Sequence, residues 1–491
     1  MRFRSTGILP PLLATMVAAV ACSSSSSNPT APVDSGGSDS TGGDAGPFVF
    51  QPKGCGYRVE AVDGFPDLEA SADDASTSAP RHVRIGLGGG VDVTQPGYAD
   101  PSTSFAVGWQ TDASNKANHL RYGDAPDKLT NVVDGASYLV PQELSVGPAD
   151  GTRFHEAHAC GLAPGRTYYY QVGGGAAGKE LWSATQSVTT APAKGSKDAL
   201  TLAFVGDTRD DIKPTVNMPV WRAIAGRIKA GGARAAIFSG DTVLVGADQS
   251  MWDRWTDASD ATAGALFIAM SPGNHENELT RYFAHVVMPG AGKNSERYFS
   301  MDYGSVHLVS IDDYDGVVSP SLDVTNYRDE LLPWLEADLA KADGNRAAVP
   351  WLVVFHHHPV YDSGADSARV KERKATHDAF VSLFDKHHVD LDVAGHDHFY
   401  ERSKVLAGDA VATKGTTYVI CAAGGAPSYS TTDGNPLSEK IVHYDPTAPE
   451  GIYGLMTADA TGLDVKVYKL KGTSGTSPAD DTVVDQFKLV H

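Results

Sequence analysis

The sequence predicts a multidomain α+β protein in which a β-sandwich precedes an α/β domain. Three observations lead to this prediction. The chain has 491 residues, more than one hydrophobic core usually organises. From about 81 to 193, apolar and polar residues alternate with the two-residue period of strands. From about 198, short apolar runs alternate with stretches of helical spacing, which is typical of an α/β domain.

The first 22 residues have the features of an export signal. Arg2 and Arg4 precede an apolar stretch, 7–21, that is too short for a stable transmembrane helix. The stretch ends in Ala-Val-Ala before Cys22, as in a bacterial lipobox. We therefore expect 1–22 to be a lipoprotein signal peptide, with a lipid on Cys22 anchoring an exported protein in a bacterial cell envelope, periplasmic or at the cell surface. The alternative is ordinary signal cleavage with an incidental Cys22.

A polar segment and three further cysteines follow. Residues 23–48 are rich in Ser, Gly, Asp and Thr, which predicts a disordered linker. The role of 49–80 stays open. Cys421 lies in an apolar run and is expected to be a buried thiol. Because exported proteins can form disulfides, we expect Cys55 to pair with Cys160.

The segment 81–193 is predicted to form the β-sandwich. Apolar alternation at 83–87 and 104–109 predicts two of its strands. The stretch 162–170 contains Leu, Pro-Gly and three tyrosines, and it resembles the tyrosine corner of a fibronectin-type sandwich. Its aromatic residues are expected to pack in the core, so we place no chemistry in this domain.

The segment 198–491 is predicted to form the α/β domain. Apolar runs predict strands at 200–205, 235–238, 266–270, 306–311 and 351–355. Helical spacing predicts helices at 220–229, 327–342 and 375–387.

Five short motifs in this second segment place Asp, Asn or His just beyond an apolar strand. They are Gly206-Asp207-Thr208, Gly240-Asp241-Thr242, Gly273-Asn274-His275-Glu276, His356-His357-His358-Pro359 and Gly395-His396-Asp397-His398. Each motif alone is weak evidence, because Gly-Asp turns and single histidines are common. Five in order at strand ends indicate one shared crevice, where a glycine lets the backbone approach a metal closely.

The five motifs and their flanking residues resemble the calcineurin-like metallophosphoesterase superfamily, and its purple acid phosphatase branch in particular. The flanking stretches are 297–304, 357–361 and 395–402. The resemblance covers about 81–491, and the sandwich matches that branch's N-terminal domain. It implies a two-metal hydrolase of phosphate esters.

The resemblance also implies a role for each motif residue. Two ions, Fe, Zn or Mn, would be bound by oxygen and imidazole ligands. Asp241 would bridge them, Asp207 and His398 would bind the first, and Asn274, His357 and His396 would bind the second. His275 would protonate the leaving oxygen or bind phosphate, and a hydroxide between the metals would attack phosphorus. Glu276 would orient its loop, and His356 and His358 would pack around the site or support it.

Two positions depart from the family pattern. Leu244 stands where the purple enzymes carry a tyrosine, and Arg209 stands where other members carry a histidine. The first metal therefore lacks one protein ligand, which solvent or Asp210 would replace. Arg209 would bind substrate phosphate or pair with Asp211. The plant enzymes' histidine pair is replaced here by Asp366 and Ser367, so substrate preference is not carried over.

These features leave three functional interpretations. The leading one is a phosphomonoester hydrolase, and the second is a phosphodiesterase on nucleotides or phospholipid-derived substrates. The third, a surface binding protein without catalysis, is disfavoured because the ligand residues are intact. A net charge of −20 argues against nucleic acid as a partner. We expect a small phosphorylated substrate and membrane attachment only through the lipid; the oligomeric state stays open.

Overall fold

The computed structural model describes thirteen stretches of the chain. They are 48–59, 67–73, 78–89, 98–140, 151–209, 214–276, 279–289, 296–315, 317–319, 327–432, 434–445, 447–459 and 461–491. The expected signal peptide 1–22 with Cys22, and the linker 23–48 apart from its last residue, lie outside these stretches. Among the described helices, none is both long and apolar enough to cross a bilayer.

Eleven short strands are described between residues 69 and 189. They are β1 (Glu69–Ala70), β2 (Arg81–Gly86), β3 (Tyr98–Ala99), β4 (Ser104–Asp112), β5 (His119–Gly123), β6 (Asn131–Asp134), β7 (Ala136–Leu139), β8 (Thr152–Cys160), β9 (Thr167–Gly174), β10 (Leu181–Trp182) and β11 (Gln186–Thr189). One antiparallel sheet has the order β1-β7-β8-β4-β2. A second has the order β10-β9-β5-β6, with β11 also paired to β9.

The alternation in the sequence explains how the two sheets pack. Phe105 and Trp109 of β4 and Tyr170 of β9 are fully buried in one hydrophobic cluster. The hydroxyl of Tyr168 accepts a hydrogen bond from the amide of Ala163 at 2.9 Å, the contact that defines a tyrosine corner. The wider likeness to a fibronectin-type domain stays a prediction.

The remaining strands and all five α-helices among the described residues belong to the second segment. They are β12 (Leu200–Val205), α1 (Pro214–Ala230), β13 (Ala235–Phe238), α2 (Gln249–Ala263), β14 (Phe267–Met270), α3 (Leu279–His285), β15 (Tyr298–Tyr303), β16 (Val306–Ile311), α4 (Tyr327–Asp343), β17 (Trp351–Phe355), α5 (Val370–Lys386), β18 (Leu391–Ala394), β19 (Tyr400–Ala407), β20 (Ala410–Val411), β21 (Thr416–Cys421), β22 (Ser438–Val442), β23 (Ile452–Ala458), β24 (Leu463–Lys469) and β25 (Thr482–Leu489).

These strands form two sheets that share a core. One sheet has the order β14-β13-β12-β23-β24-β25, and the other has the order β20-β19-β21-β18-β17-β16-β15-β3, with β22 on β19. Along β17, Val353 and Phe355 enter the shared cluster, whereas Leu352 and Val354 face the cluster formed with α4 and α5. A strand buried on both faces explains this continuous apolar run. The sandwich followed by an α/β domain confirms the predicted fold class.

The sandwich also contacts the second segment directly. The hydroxyl of Tyr170 donates to the carbonyl of Gly264, just after α2, at 2.6 Å. Arg84 of β2 donates to the carbonyl of Ala284 at 2.6 Å. β3 lies within the predicted sandwich segment 81–193 but pairs with β15, so it extends the larger sheet of the second segment.

Candidate metal centre

The candidate ligands lie at the carboxyl ends of parallel strands. β12, β13 and β14 are parallel neighbours in one sheet, and β17 and β18 are parallel neighbours in the other. Each strand is followed within a few residues by one motif: Asp207 after β12, Asp241 after β13, Asn274 after β14, His357 after β17, and His396 and His398 after β18. Strand ends of two facing sheets therefore deliver all six side chains to one place, the usual position of ligand sites in open α/β sheets.

Tight loops bring the motifs together. A Cβ on Gly395 would lie 2.5 Å from the Ser239 carbonyl and 2.7 Å from Asp207 Oδ2, so the adjoining loops could not close over a side chain. Asp207, Asp241 and His396 have positive φ angles of 56°, 51° and 68°. Such left-handed backbone is uncommon outside glycine, and it concentrates at functional sites.

Asp207 and His398 form the first part of the centre. Nε2 of His398 lies 3.2 Å from Oδ1 of Asp207, and both residues are buried. Nδ1 of His398 donates to the Pro427 carbonyl at 2.6 Å, which leaves the Nε2 electron pair for a metal. The amide of His396 donates to both Asp207 oxygens at 3.1 Å and fixes the carboxylate.

His357 and Asn274 approach Asp241 from the other side. Nε2 of His357 lies 3.2 Å from Oδ1 of Asp241 and 3.1 Å from Oδ1 of Asn274. Nδ1 of His357 donates to the Ser239 carbonyl at 2.7 Å, so Nε2 again faces the centre. Oxygen and nitrogen donors at these separations can share one ion.

His396 completes this side of the centre. Its Nε2 lies 3.1 Å from Oε2 of Glu372, a carboxylate partner of the kind that orients metal-binding histidines and leaves Nδ1 for the metal. Ligating atoms of Asp207, Asp241 and His357 lie within 4.8 Å of one another, and so do those of His357, His358 and His396. The two donor groups overlap at His357, and each could hold an ion.

Burial and neighbouring charges set the protonation of the candidate ligands. Burial lowers the pKa of His396 and His398, so their imidazoles are neutral and can offer a nitrogen electron pair to a metal. Burial also acts to lower the pKa of His357, but Asp241 outweighs it and raises that pKa to about 10. In turn, burial acts to raise the pKa of Asp241, and the charge of His357 holds it far below its usual range. A metal binding at His357 would displace its proton.

Glu276 organises the loops, as expected from the sequence. Its carboxylate accepts hydrogen bonds from the amides of Asp241, Thr242, Val243 and Gly273 at 2.8–3.1 Å. The side chain is fully buried. One carboxylate thus holds the second and third motifs together without facing the centre.

Comparison with known proteins decides the family. Residues 94–190 match the model of the purple acid phosphatase N-terminal domain, and 200–400 match that of the calcineurin-like phosphoesterases. Purple acid phosphatase 21 of Arabidopsis thaliana is 27% identical over 358 residues, covering 70% of this chain and 71% of the relative. The chain is a purple acid phosphatase-like member of the calcineurin-like phosphoesterases.

Further relatives agree with this assignment. Acid phosphatase type 7 of Mus musculus is 30% identical over 263 residues, covering 49% of this chain and 55% of that protein. The structure of a purple acid phosphatase from yellow lupin (Lupinus luteus) seeds shares the fold with a TM-score of 0.67 at 19% identity, covering 84% of this chain and 74% of the other. The chain is accordingly a metal-dependent phosphoesterase.

Arg209, one of the two positions that depart from the family pattern, lies at the candidate centre. Nη2 of Arg209 lies 3.4 Å from Nε2 of His398 and donates to the Tyr429 hydroxyl at 3.1 Å. Arg209 also contacts Nε2 of His275 through Nη1, and its Nε lies 4.0 Å from Oδ2 of Asp241. A guanidinium therefore lies beside His398 and Asp241, two of the candidate donors for the first metal. Asp210 and Asp211, the other residues considered for this region, lie outside the described stretches.

Tyr429 and Asp313, like Glu372, contact the motif histidines and were not anticipated from the sequence. Tyr429 stacks on His398, with ring centroids 4.0 Å apart and an angle of 14° between the planes. Asp313 accepts hydrogen bonds from Nδ1 of both His356 and His358 at 2.8 Å. Neither belongs to a metal-binding motif; a run of two aspartates directly after β16 was the only available signal for Asp313.

Proposed function

We propose that this phosphoesterase hydrolyses small phosphate monoesters at a binuclear metal centre. The observation that carries the proposal is the convergence of six oxygen and nitrogen donors beside Arg209 and His275. Two bound ions would activate water and neutralise phosphate charge. The ions of choice for these donors are Fe, Zn or Mn.

Arg209 is the residue that would bind the phosphate. Its guanidinium is nearly buried and lies against His275, His398 and Asp241, so it faces the donors rather than bulk solvent. Guanidinium groups bind phosphate oxygens through paired hydrogen bonds. A dianionic monoester gains more from this extra cation than a monoanionic diester, which favours the monoester.

His275 is placed to donate a proton to the leaving group. Its Nδ1 donates to the Leu244 carbonyl at 2.7 Å, which directs Nε2 towards Arg209 and Asp241. A phosphate that takes over the Arg209 contact would free Nε2. Once protonated, that atom would donate to the leaving oxygen or to the phosphate itself. About a quarter of the side chain is exposed, at 26%, so substrate can reach it.

A substrate panel tests this proposal. The purified protein, loaded with Zn²⁺ or Mn²⁺, is assayed with p-nitrophenyl phosphate and bis(p-nitrophenyl) phosphate. We expect a higher kcat/KM for the monoester, and Arg209→Gln should reduce it by roughly tenfold or more while affecting the diester less. The exposed Arg222→Gln on α1 is the matched control. A diester preference that survives Arg209→Gln would instead identify a phosphodiesterase.

We further propose that the enzyme is exported and anchored through Cys22. A disulfide between Cys55 and Cys160 supports an oxidising compartment. The small residues before Cys22 and the serine run after it support lipidation. Cys22→Ser should move the enzyme from the membrane fraction to the soluble fraction. Membrane association that persists in this variant would point to another anchor.

A further inference from the structure

Three consecutive histidines follow β17, and their side chains take different roles. His357 faces the candidate metal centre through Nε2, as described above. His356 and His358 instead share the buried carboxylate of Asp313. His356 is held between two carboxylates, because its Nε2 also lies 2.9 Å from Oδ1 of Asp392. No such second partner is described for His358.

Asp313 fixes both the orientation and the tautomer of His358. Oδ1 of Asp313 accepts from Nδ1 of His358 at 2.8 Å, and Oδ2 accepts from the backbone amide of His358 at 2.7 Å. The ring of Tyr314 stacks on the imidazole, with centroids 5.6 Å apart and planes 13° apart. With the proton on Nδ1, Nε2 carries the electron pair. A carboxylate behind the distal nitrogen is the usual support of a metal-binding histidine.

Nε2 of His358 is buried without a hydrogen-bond partner among the described residues. His358 is 1% exposed, so bulk water does not satisfy this atom. A buried nitrogen without a hydrogen-bond partner destabilises the folded protein. The fold therefore holds the electron pair of His358 Nε2 in a fixed orientation, and no described group forms a hydrogen bond with it.

The ring of His358 lies beside the two histidines assigned to the second metal position. The imidazole centroid of His358 lies 4.2 Å from that of His396 and 4.9 Å from that of His357. The ligating atoms of these three histidines lie within 4.8 Å of one another. Donors about 2.1 Å from one zinc ion are at most about 4.2 Å apart, and separations within 4.8 Å are compatible with one shared ion.

We propose that His358 is a third imidazole ligand of the second metal, alongside His357 and His396. The inference rests on the proposed binuclear centre but assigns a ligand that the family pattern does not supply. Three imidazoles give this position a nitrogen-rich environment, which favours Zn²⁺ over Mn²⁺.

Two substitutions of His358 distinguish a role as a metal ligand from a role in packing. In His358→Asn, the side-chain amide can replace Nδ1 and keep the bond to Asp313, but nothing replaces Nε2. In His358→Gln, the longer amide can place an oxygen near the Nε2 position. We expect His358→Asn to weaken Zn²⁺ binding at one of the two sites by roughly 10–100-fold, and His358→Gln to weaken it less. Zn²⁺ affinity is measured by competition with a chelator, without substrate.

His387→Gln is the matched control, because His387 is also buried but lies at the end of α5, with its Nε2 3.8 Å from Oε1 of Glu336. Thermal unfolding of the metal-free variants checks that each is folded. A crystal structure of the zinc-loaded protein should show His358 Nε2 at about 2.0–2.1 Å from the second ion. Unchanged Zn²⁺ affinity in His358→Asn, or a nitrogen–zinc distance beyond about 3 Å, overturns the inference. A wild-type protein that binds no metal would instead defeat the proposed function.

Discussion

At the scale of single residues, Asp241 combines a chemical role with an unusual backbone conformation. Its φ of 51° is tolerated better by Asp and Asn than by Ala. Its Oδ1 accepts from the amide of His275 at 3.0 Å. We therefore expect a substitution at Asp241 to change both metal binding and local strain, and the choice of replacement separates the two effects.

We predict that Asp241→Asn loses bound metal and slows hydrolysis by at least roughly 10²–10³-fold while remaining folded. Asparagine tolerates the left-handed backbone but lacks the charge that holds two cations. Asp241→Ala should lose activity equally and be less stable by about 1 kcal/mol, because alanine is strained at this φ. Elemental analysis, activity and thermal unfolding measure the three effects. If Asp241→Asn retains two metals and near-normal turnover, the bridging assignment is wrong.

Leu244 leads to a prediction about colour. In the purple relatives, the colour comes from a tyrosine bound to ferric iron, and leucine has no donor atom. Tyr429 is the nearest substitute identified at the first site, where it stacks on His398. The Tyr429 hydroxyl already accepts a hydrogen bond from Nη2 of Arg209 at 3.1 Å, and burial raises its pKa although Arg209 and Arg369 act in the opposite direction. We therefore predict a colourless enzyme with divalent metals.

An absorption spectrum of the fully metallated, oxidised protein measures this. Tyr429→Phe is the companion variant, because it removes only the hydroxyl. A strong visible band in the wild type that disappears in Tyr429→Phe would contradict the prediction and identify Tyr429 as the missing ligand.

At the scale of elements, His307 ties two strands and a helix together. It lies on β16 opposite Asp302 of β15, and its Nδ1 and Nε2 are 2.7 and 3.0 Å from Asp302 and Asp338 of α4. Burial acts to lower the pKa of His307, but the two carboxylates outweigh it and raise the pKa to about 9. The protonated imidazole therefore stabilises the folded state.

The sign of the pH dependence follows from this pKa. Because the folded pKa exceeds the unfolded value of about 6.5, the stabilisation is complete below about pH 6.5 and is lost as pH rises through 9. We predict a loss on the order of 3 kcal/mol in the free energy of unfolding across this window. Urea unfolding at several pH values measures it. His307→Gln should be less stable at pH 6 and should lack this part of the decline; equal slopes would refute the assignment.

At the scale of the whole molecule, the segment before the sandwich is fastened by its disulfide. Cys55 and Cys160 are separated by 105 residues and join this segment to β8. Phe50, in the same segment, packs in a cluster with Tyr138 and Phe154 of the sandwich and with Ala284 of α3. The N-terminal segment thus contacts both parts of the enzyme.

We predict that removing this disulfide lowers global stability but leaves metal content unchanged. A cross-link over a loop of this length contributes about 2–5 kcal/mol, mainly by restricting the unfolded chain. Cys55→Ser with Cys160→Ser should therefore unfold at a lower temperature than the wild type. Adding a reductant should lower the Tm of the wild type but not of the double variant. Loss of metal from the folded double variant would show that the segment also supports the centre.

The sequence by itself determined the layers of the fold and the identity of the motifs. The apolar runs at Leu200–Val205, Ala235–Phe238, Val306–Ile311 and Trp351–Phe355 coincide with strands. Each of these strands is buried, so its residues form an apolar run that can be recognised in the sequence. The helix α2 was not predicted from sequence, because its buried positions include Gln, Thr and Ser as well as tryptophans. The six ligand residues stay predictions, which the geometry supports. The sequence could suggest them because each lies in a short local motif.

Only the tertiary structure decided which groups face one another. The sequence shows three histidines in a row but not where their nitrogens point. Asp313 orients His358, and the Ser239 carbonyl orients His357. Glu372 orients His396 in the same way. Tyr429 and Arg209 meet although 220 residues separate them. The physical reason is that a side chain's direction depends on loop backbone and on partners distant in sequence. Periodicity in the sequence predicts each strand and its buried faces, whereas the candidate centre is formed by contacts between the ends of different strands.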